Sequence, residues 1–546
     1  MCIDEQGQFR EQLTFFRPPR VQQRLSTAAG VDAVNAFATY FQSVFLKDKP
    51  QLSPNNICSH PDKDSSRVSI SYISKSEIQN AVRRLKPRSS AGPDGIPPYL
   101  IKDCISVFLQ PLHFLFNMSL SSDTYPNEWK KSRITPIPKS GCKSQINNYR
   151  PIAVASCFGK LLEIILNNNL TNQIRSLLCD PQHGFRSKRS TTTNLINFVD
   201  YTAKALDKKR QVDVAYFDFK KAFDRVNNDV LLSKFSKFGF TPKLIKYFAN
   251  YFDGRVQYVQ LGRLRSDPYS VHSGVSQGST LGPTHFLVMV NDLPNVLRSA
   301  QCLMFADDLK LFLTIESYSD CLSLQNDIIN LTSWCHENQL EFNISKCNIM
   351  TYTRSRSPIV YPYSLEGTTL RRVDHIRGIL FDKTLTFNEH IEAVCQKAYK
   401  SLGFIVRQSA RFQDRNTVVV LYSAYVRSIL EYNAIIWSPH EKKYTLLLER
   451  VQRKFARYLY LKLYGYYPYM YPSLFVIGMV GLNTLELRRK LALLIHYYLL
   501  LNNRVDNPVA LDKDIFDFLW TPLNLDKRGT SAAPVTVELS IIYIPS

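Results

Sequence analysis

Two adjacent aspartates lie inside an apolar run, and they limit the folds that the chain can adopt. The run CLMFADDLKLFL covers residues 302–313 and carries Asp307 and Asp308 at its centre. Burying two like charges side by side is costly unless something pairs with them. Because short apolar segments flank the pair, the run predicts a hairpin with the aspartates at its tip. Aspartate is common in turns, so the pair alone leaves an ordinary turn and a functional site both open.

A third carboxylate makes the functional interpretation stronger. The segment QVDVAYFD, residues 211–218, alternates with a period of two residues and predicts a strand that ends at Asp218. A strand-end carboxylate beside a hairpin-tip pair offers the oxygen ligands that hard divalent cations prefer. Two such ions, roughly 3.5–4 Å apart, can stabilise the attacking and leaving oxygens of a phosphoryl displacement. The pattern predicts that divalent cations neutralise Asp218, Asp307 and Asp308.

The overall charge indicates a polyanionic partner. Lysine and arginine outnumber aspartate and glutamate by 68 to 46 in the 546 residues, which gives a net charge of +22. Nucleic acid is the simplest such partner, and a basic membrane-surface protein is the alternative. No apolar run is long enough to cross a bilayer, and the polar N-terminus does not resemble a signal peptide. The eleven scattered cysteines predict reduced thiols and an intracellular protein, nuclear, cytoplasmic or both.

Strand patterns and helical patterns occupy different parts of the chain. Strands and helices mix up to about residue 385, and the remainder is helical, which predicts an α+β core with a helical appendage. One face of the appendage is predicted to be apolar. Its members are Val418, Leu421, Tyr425, Ile429, Tyr432 and Ile436.

Several motifs resemble those of reverse transcriptases. YFDFKKAFD, GVSQGSTLGP and FADD follow one another in the family's order. SAGPDGIP, PIPKSG, NYRPI, QHGFRSKRST, WCHENQLEFNISKC and LEYNAIIWSP are similar to segments of the polymerases of non-LTR, jockey-type (LINE-like) retrotransposons. The resemblance covers roughly residues 35–500, nearly the whole chain.

The resemblance implies a right-hand polymerase fold with an antiparallel palm sheet. Residues 1–65 would form a lead-in and linker, and 66–211 the fingers with part of the palm. Residues 212–385 would complete the palm, with the reverse transcriptase domain at roughly 120–385. Residues 386–470 would form a helical thumb, and 471–546 a C-terminal extension, for which truncation is an open alternative.

The family's catalytic roles transfer to matching positions. Asp218 and Asp307 would be the main ligands of two Mg²⁺ ions, with Mn²⁺ as the alternative metal. Phe219 would contribute its backbone carbonyl, and Asp308 would support the second metal or the primer end. Lys346 matches a lysine that protonates the leaving pyrophosphate, which is a general-acid role. A solvated loop lysine is the alternative interpretation of Lys346.

Five further positions match the family's nucleotide site. Lys139 and Arg150 would hold the triphosphate, as a mobile point charge and a bidentate fork. Gln277 and Gly278 would lie beneath the nucleotide, where a small residue allows close backbone approach. Phe223 would exclude a 2′-hydroxyl and so select deoxynucleotides. Without the surrounding motifs, the two cations would be ordinary surface charge and the phenylalanine a core residue.

The helix pattern KKYTLLLERVQRKFARYLYL carries a cationic face. Its predicted apolar stripe is Leu447, Val451, Phe455 and Leu459. Four cations lie off the stripe and would contact the template–primer duplex, although a solvated face is the common alternative. They are Arg450, Arg453, Lys454 and Arg457.

These inferences predict an RNA-directed DNA polymerase that copies retrotransposon RNA from a DNA primer with dNTPs. A degenerate copy that binds nucleic acid without catalysis is the main alternative. It is favoured by Ser276 in place of the usual proline, by Arg377 in place of an apolar residue, and by an unfamiliar stretch over the last twenty residues. A maturase-like splicing cofactor on the same fold is a further alternative. The oligomeric state is not predicted.

Overall fold

The computed structural model describes residues 27–46 and 68–507, apart from residues 88, 140, 141, 377 and 413. The described chain forms two compact units. The first contains the described residues up to Thr191 together with Lys209–Asp374, and the second contains Thr192–Lys208 and the described residues from His375 onward. Arg377 and the last twenty residues lie outside the described residues, as do most of the predicted lead-in and much of the predicted extension. The predicted fingers, palm and thumb boundaries stay predictions.

The first unit mixes helices with two sheets, as the α+β prediction requires. Its helices are α1 (Thr27–Val44), α2 (Lys75–Arg84), α3 (Pro98–Asp103), α4 (Ile105–Ser121), α5 (Cys157–Ile174), α7 (Asn228–Lys237), α8 (Pro242–Phe252), α9 (Gly282–Val290) and α10 (Tyr318–Glu337). Its strands are β1 (Lys131–Pro138), β2 (Tyr149–Ala155), β3 (Gln211–Asp218), β4 (Val256–Leu261), β5 (Leu264–Arg265), β6 (Tyr269–Ser270), β7 (Gln301–Phe305), β8 (Asp308–Ile315), β9 (Asn348–Tyr352), β10 (Ser364–Leu365), β11 (Thr368–Thr369) and β12 (Arg371–Arg372).

The sheet that contains β3 and β8 has five strands, in the order β12-β9-β3-β8-β7. Strands β9, β3, β8 and β7 pair antiparallel, while the short edge strand β12 pairs parallel with β9. The predicted antiparallel sheet is therefore observed except at this edge. A second sheet contains β2-β1-β4-β5, with β6 beside β4, and β10 and β11 form a separate pair.

Strand β3 is the central strand of this sheet, and both of its faces are buried. Asp213 on this strand is completely buried, and three side chains donate hydrogen bonds to its carboxylate. Thr351 Oγ1 and Tyr363 OH lie 2.7 and 2.9 Å from the carboxylate, and Gln211 Nε2 lies 3.0 Å away. A satisfied carboxylate can lie in a core without the cost of an unpaired charge. This network joins β3 to β9 and to Tyr363.

The second unit is helical in its described part. Its helices are α6 (Thr191–Asp207, whose first residue belongs to the first unit), α11 (Asn388–Gln408), α12 (Arg415–Tyr422), α13 (Ser428–Glu431), α14 (Ala434–Trp437), α15 (Lys442–Tyr464), α16 (Ser473–Met479) and α17 (Leu485–Leu501). Tyr422 stacks on Phe455 with ring centroids 3.8 Å apart, which joins α12 to α15. No helix in the described ranges is long and apolar enough to cross a membrane.

The predicted apolar face over residues 418–436 is confirmed at Val418 and Ile436, which are buried, and is wrong at Tyr425 and Tyr432. Tyr425 and Tyr432 are each 58% exposed, whereas Tyr422, Val426 and Leu430 are buried. A π-helical turn, Ser423–Arg427, interrupts the α-helical spacing. From Val418 the buried residues recur every four positions, whereas the predicted face mixed intervals of three and four.

Candidate nucleotidyl-transfer site

The last residue of β3 and the first residue of β8 are both aspartates. The strand register places Asp218 directly opposite Asp308. Side chains that face each other in an antiparallel pair have Cβ atoms about 4.5–5.5 Å apart, and like charges there destabilise the pair. The structure thus brings together two of the predicted metal ligands at one end of the sheet.

Asp307 lies in the two-residue turn between β7 and β8. Its neighbour Ala306 has a φ of +57°, so the turn uses a left-handed conformation at a residue with a Cβ. Burial raises the pKa of Asp307, and the charge of Asp218 raises it further. Burial likewise raises the pKa of Asp308, followed by the charges of Asp307 and Asp218. The three carboxylates therefore form one repulsive group, and the charges of Lys346 and Arg150 only partly offset the raised pKa of Asp307.

The donor set fits a divalent cation that arrives with a substrate. Within the described ranges, no group of three or more His, Cys, Asp or Glu side chains is arranged so that it could hold a metal ion by itself. Mg²⁺ commonly binds one or two protein carboxylates and takes its other ligands from waters and substrate phosphates. The three aspartates, when ionised, supply the negative charge that attracts such an ion, and the ion would relieve their repulsion. Phe219, whose carbonyl is the predicted fourth ligand, directly follows Asp218 and stacks its ring on Phe342 with centroids 4.8 Å apart.

Lys346 lies beside the carboxylates. Its Nζ donates to Asp218 Oδ2 over 2.9 Å, and the two side chains are partly exposed. Water screens such a pair, so its contribution to stability is small. A backbone hydrogen bond of 2.7 Å from Asn343 N–H to the Asp218 carbonyl holds the turn Ile344–Lys346 against β3. The backbone thus places Lys346 at the site, and its general-acid role stays a prediction.

Further cations lie within electrostatic range of Lys139 and of Asp307. Lys139 directly follows β1, and Arg150 lies on β2 opposite Ile137. Burial lowers the pKa of Lys139, and the charges of Lys221, Arg150 and Lys346 lower it further. Grouped cations of this kind favour a polyphosphate ligand. Sequence reasoning missed Lys221, although FKKAF shows it three residues after Asp218.

The loop after β6 attaches to β2 through its backbone. Ala153 N–H donates to the Gln277 carbonyl over 2.8 Å. Gly278 has a φ of +110°, and a Cβ there would lie 2.8 Å from the Ala153 carbonyl oxygen. Gln277 Nε2 also donates to both carboxylate oxygens of Asp224, at 2.8 and 2.9 Å. Burial raises the pKa of Asp224 to about 6, and the Gln277 bond opposes this shift. Asp224 is a second residue that sequence reasoning missed.

Phe223 is held between two other rings. It stacks on Phe286 with centroids 4.7 Å apart, and Phe185 meets its edge at 6.1 Å. Its carbonyl accepts a hydrogen bond of 2.7 Å from Val275 N–H. The ring is half-buried. It therefore has a fixed position and an exposed side, as a steric gate requires.

Gln182, which sequence reasoning did not single out, holds the aspartate turn. Its Oε1 accepts hydrogen bonds from Ala306 N–H at 3.0 Å and Gly184 N–H at 2.7 Å. Its Nε2 donates to the Ala306 carbonyl over 3.3 Å. The side chain is 1% exposed. One glutamine thus satisfies both backbone groups of the left-handed residue that precedes Asp307.

We expect Gln182→Ala to lower the rate of dNTP incorporation at least ten-fold, because the turn loses the bonds that orient Asp307. Gln325→Ala is the matched control: Gln325 also bonds a backbone N–H and carbonyl, those of Ser364, at 2.8 and 3.0 Å. Both variants should lose about 1–3 kcal/mol of stability, the cost of unsatisfied buried groups. Single-turnover kinetics and thermal unfolding measure the two effects. Equal rates in the two variants would show that Gln182 is only structural.

The four predicted duplex-binding cations lie on α15 in the second unit. Arg450 and Lys454 are exposed, whereas Arg453 and Arg457 are half-buried. Arg457 donates to the carbonyls of Pro468 and Tyr471. The observed buried stripe contains Leu448, Val451, Phe455 and Leu459, and the predicted Leu447 is only half-buried.

Comparison with known proteins gives one family. Residues 137–406 match the reverse transcriptase (RNA-dependent DNA polymerase) family. This range contains every predicted metal, catalytic and nucleotide-binding residue.

Curated relatives come from insect mobile elements. The chain is 30% identical over 347 residues to a probable RNA-directed DNA polymerase from transposon BS of Drosophila melanogaster, covering 61% of this chain and 38% of the relative. It is 26% identical over 406 residues to the RNA-directed DNA polymerase from mobile element jockey of the same species, covering 71% and 44%. It is 25% identical over 402 residues to a Pol polyprotein from the type-1 retrotransposable element R1 of Bradysia coprophila, covering 69% and 38%. The chain thus spans less than half the length of these relatives.

Proposed function

Since the chain belongs to the reverse transcriptase family and is related to the polymerases of non-LTR, jockey-type retrotransposons, we propose that it is an RNA-directed DNA polymerase. It copies retrotransposon RNA into DNA by transferring nucleotides from dNTPs to the 3′-hydroxyl of a DNA primer. The observation that carries this proposal is the group of three coupled carboxylates, Asp218, Asp307 and Asp308, with cations on its nucleotide side.

The carboxylates would hold two divalent cations, with the Phe219 carbonyl as a further ligand. When bound, such ions stabilise charge on the attacking and leaving oxygens of the displacement. Lys139, Arg150 and Lys221 would bind and orient the triphosphate. Orientation of the reacting groups supplies a large part of the rate in reactions of this kind.

We propose that the first unit contributes fingers and palm and that the helices from α11 onward include the thumb. RNA template, DNA primer and dNTPs are the partners that this assignment requires.

The nine described cysteines are all free, which supports an intracellular location, in the nucleus, the cytoplasm or both. The Ser276 carbonyl accepts a 3.0 Å hydrogen bond from Ser279 N–H, so this loop closes a turn without the family's proline.

Primer extension on an RNA template tests the proposal. We expect incorporation with Mg²⁺ or Mn²⁺, loss of incorporation with a chelator, and recovery when Mg²⁺ is restored in excess. Binding of the template–primer should persist in the chelator because the phosphate contacts come from lysine and arginine. Binding without incorporation under every metal condition would instead support the degenerate copy.

We expect Phe223→Ala to admit ribonucleotides. The ring has a fixed position against Phe286, so removing it opens space near the proposed ribose position. Discrimination by a clash is lost when the clashing group is removed. Single-nucleotide extension with a dNTP and the matching rNTP should show the efficiency ratio moving toward the rNTP, mainly through faster rNTP use. An unchanged ratio would assign Phe223 to the core alone.

A further inference from the structure

A tyrosine-rich loop follows α15 and exposes large aromatic rings. We call residues 464–475, YGYYPYMYPSLF, the tyrosine loop. Helix α15 ends at Tyr464, and its C-cap residue Gly465 has a φ of +78° that redirects the chain. Tyr469 is 79% exposed and Met470 94% exposed, and Tyr466 and Phe475 are about half exposed. Exposed aromatic groups at this density are unusual on a surface that contacts only water.

The tyrosine loop is held in place by hydrogen bonds and ring contacts. The hydroxyls of Tyr460 and Tyr466 lie 2.8 Å apart, and the rings of Tyr467 and Tyr469 have centroids 4.6 Å apart. The Arg457 guanidinium donates to two carbonyls of the loop, those of Pro468 and Tyr471. The exposed rings are therefore preordered, which reduces the entropy that a ligand must overcome.

The charge around the tyrosine loop selects the kind of partner. Residues 450–485 contain no aspartate or glutamate. Arg450, Lys454 and Arg457 follow the i, i+4, i+7 spacing along one face of α15, and this face continues to Tyr464. The stripe from Arg450 to Tyr464 is about 21 Å long at 1.5 Å per residue. Cations that lead into exposed rings are the combination by which proteins bind single-stranded nucleic acid.

We propose that the tyrosine loop stacks unpaired bases of a nucleic acid strand while Arg450 and Lys454 of α15 contact its phosphates. The proposal rests on the proposed function only in taking nucleic acid as the ligand. It separates two parts of the template: paired bases would lie at the site of Asp218, and unpaired bases would lie on the tyrosine loop. Stacking does not depend on base identity, so the loop would bind RNA of any sequence.

The equilibrium affinity of the full chain for nucleic acid tests this proposal. The measurement is made without dNTPs or divalent metal, so that a failure of catalysis cannot affect the measured affinity. The probes are labelled oligo(rU), the DNA counterpart oligo(dT), and a blunt duplex. We expect Tyr469→Ala to weaken single-strand binding roughly five-fold or more, the effect of removing one base stack. Tyr469→Phe should bind as the wild type does, because the ring remains. Tyr498→Ala, which removes another exposed tyrosine of the second unit, is the control.

Replacing Arg450 and Lys454 with glutamine should flatten the dependence of single-strand affinity on salt, because fewer counterions are released. Several results would overturn the proposal. These are unchanged single-strand affinity in Tyr469→Ala, an equal loss for the single strand and the blunt duplex, or Tyr469-dependent binding of neutral phosphatidylcholine vesicles without RNA binding. A loss that is confined to oligo(rU) would support the proposal for RNA alone, and equal losses for oligo(rU) and oligo(dT) would support it for either strand.

Discussion

We expect Asp307→Asn to abolish dNTP incorporation, with a loss of at least a thousand-fold, and to leave the fold at least as stable as the wild type. The amide keeps the shape of the side chain but removes the charge that a divalent cation needs. Removal of that charge also relieves the cost of burial and the repulsion by Asp218, which together raise the pKa of Asp307 in the folded protein. Single-turnover incorporation and thermal unfolding near neutral pH measure the two effects.

The pH dependence of stability gives an independent check on this explanation. A carboxylate whose pKa is raised on folding destabilises the fold when ionised, and the destabilisation disappears as the pH falls through the folded pKa. The stability gain of Asp307→Asn over the wild type should therefore be largest at neutral pH and shrink in acid. Asp320→Asn changes a capping carboxylate of α10 away from the site and should retain incorporation. Full activity in Asp307→Asn would contradict the metal-ligand assignment.

The second large effect is expected from Gly184→Ala. A Cβ at this position would lie 2.2 Å from Ala306 N and 2.9 Å from the Phe305 carbonyl carbon. Both atoms are backbone, so no flexible side chain can move aside, and the aspartate turn itself must shift. A misplacement of about 1 Å can cost a hundred-fold in rate. We therefore expect a loss of about a hundred-fold in incorporation, with a stability loss of about 1–3 kcal/mol from overpacking.

Gly403→Ala is the matched control for this variant. Its added Cβ would meet only the end of the Arg407 side chain, at 3.4 Å, within helix α11. Alanine favours helices over glycine by about 1 kcal/mol, so this variant should be as stable as the wild type or more so. It should also retain activity. Equal activity in the two variants would show that the contact between residue 184 and the turn does not position Asp307.

Local sequence patterns predicted the parts of the site that depend on strand periodicity. A strand end and a hairpin tip are local features. The alternation before Asp218 was therefore enough to predict the strand end, and the apolar segments around Asp307 and Asp308 were enough to predict the hairpin. Gln182 and Lys221 were not predicted, since their roles depend on contacts with Ala306 and with distant cations. Such contacts join residues that are far apart in the chain, and no local periodicity encodes them.

The helical part shows a different limit of sequence reasoning. The apolar face was extrapolated from Val418 at regular α-helical spacing, but the buried residues recur every four positions through the π-turn at Ser423–Arg427. A single extra residue in a turn leaves composition and hydrophobic content unchanged, so the sequence gives no signal for it. The cations of α15 were recognised by their spacing, whereas the bonds from Arg457 to the tyrosine loop depend on how the chain returns after Gly465.

The most direct test of the central claim is single-nucleotide incorporation on four RNA templates that differ only at the base opposite the incoming nucleotide. Each dNTP is offered separately, with Mg²⁺, to the wild type and to Asp218→Asn. An RNA-directed DNA polymerase should add the complementary dNTP on each template, and the Asp218→Asn variant should add none. Addition of the same nucleotide on all four templates, or equal incorporation by the wild type and the variant, would contradict the claim.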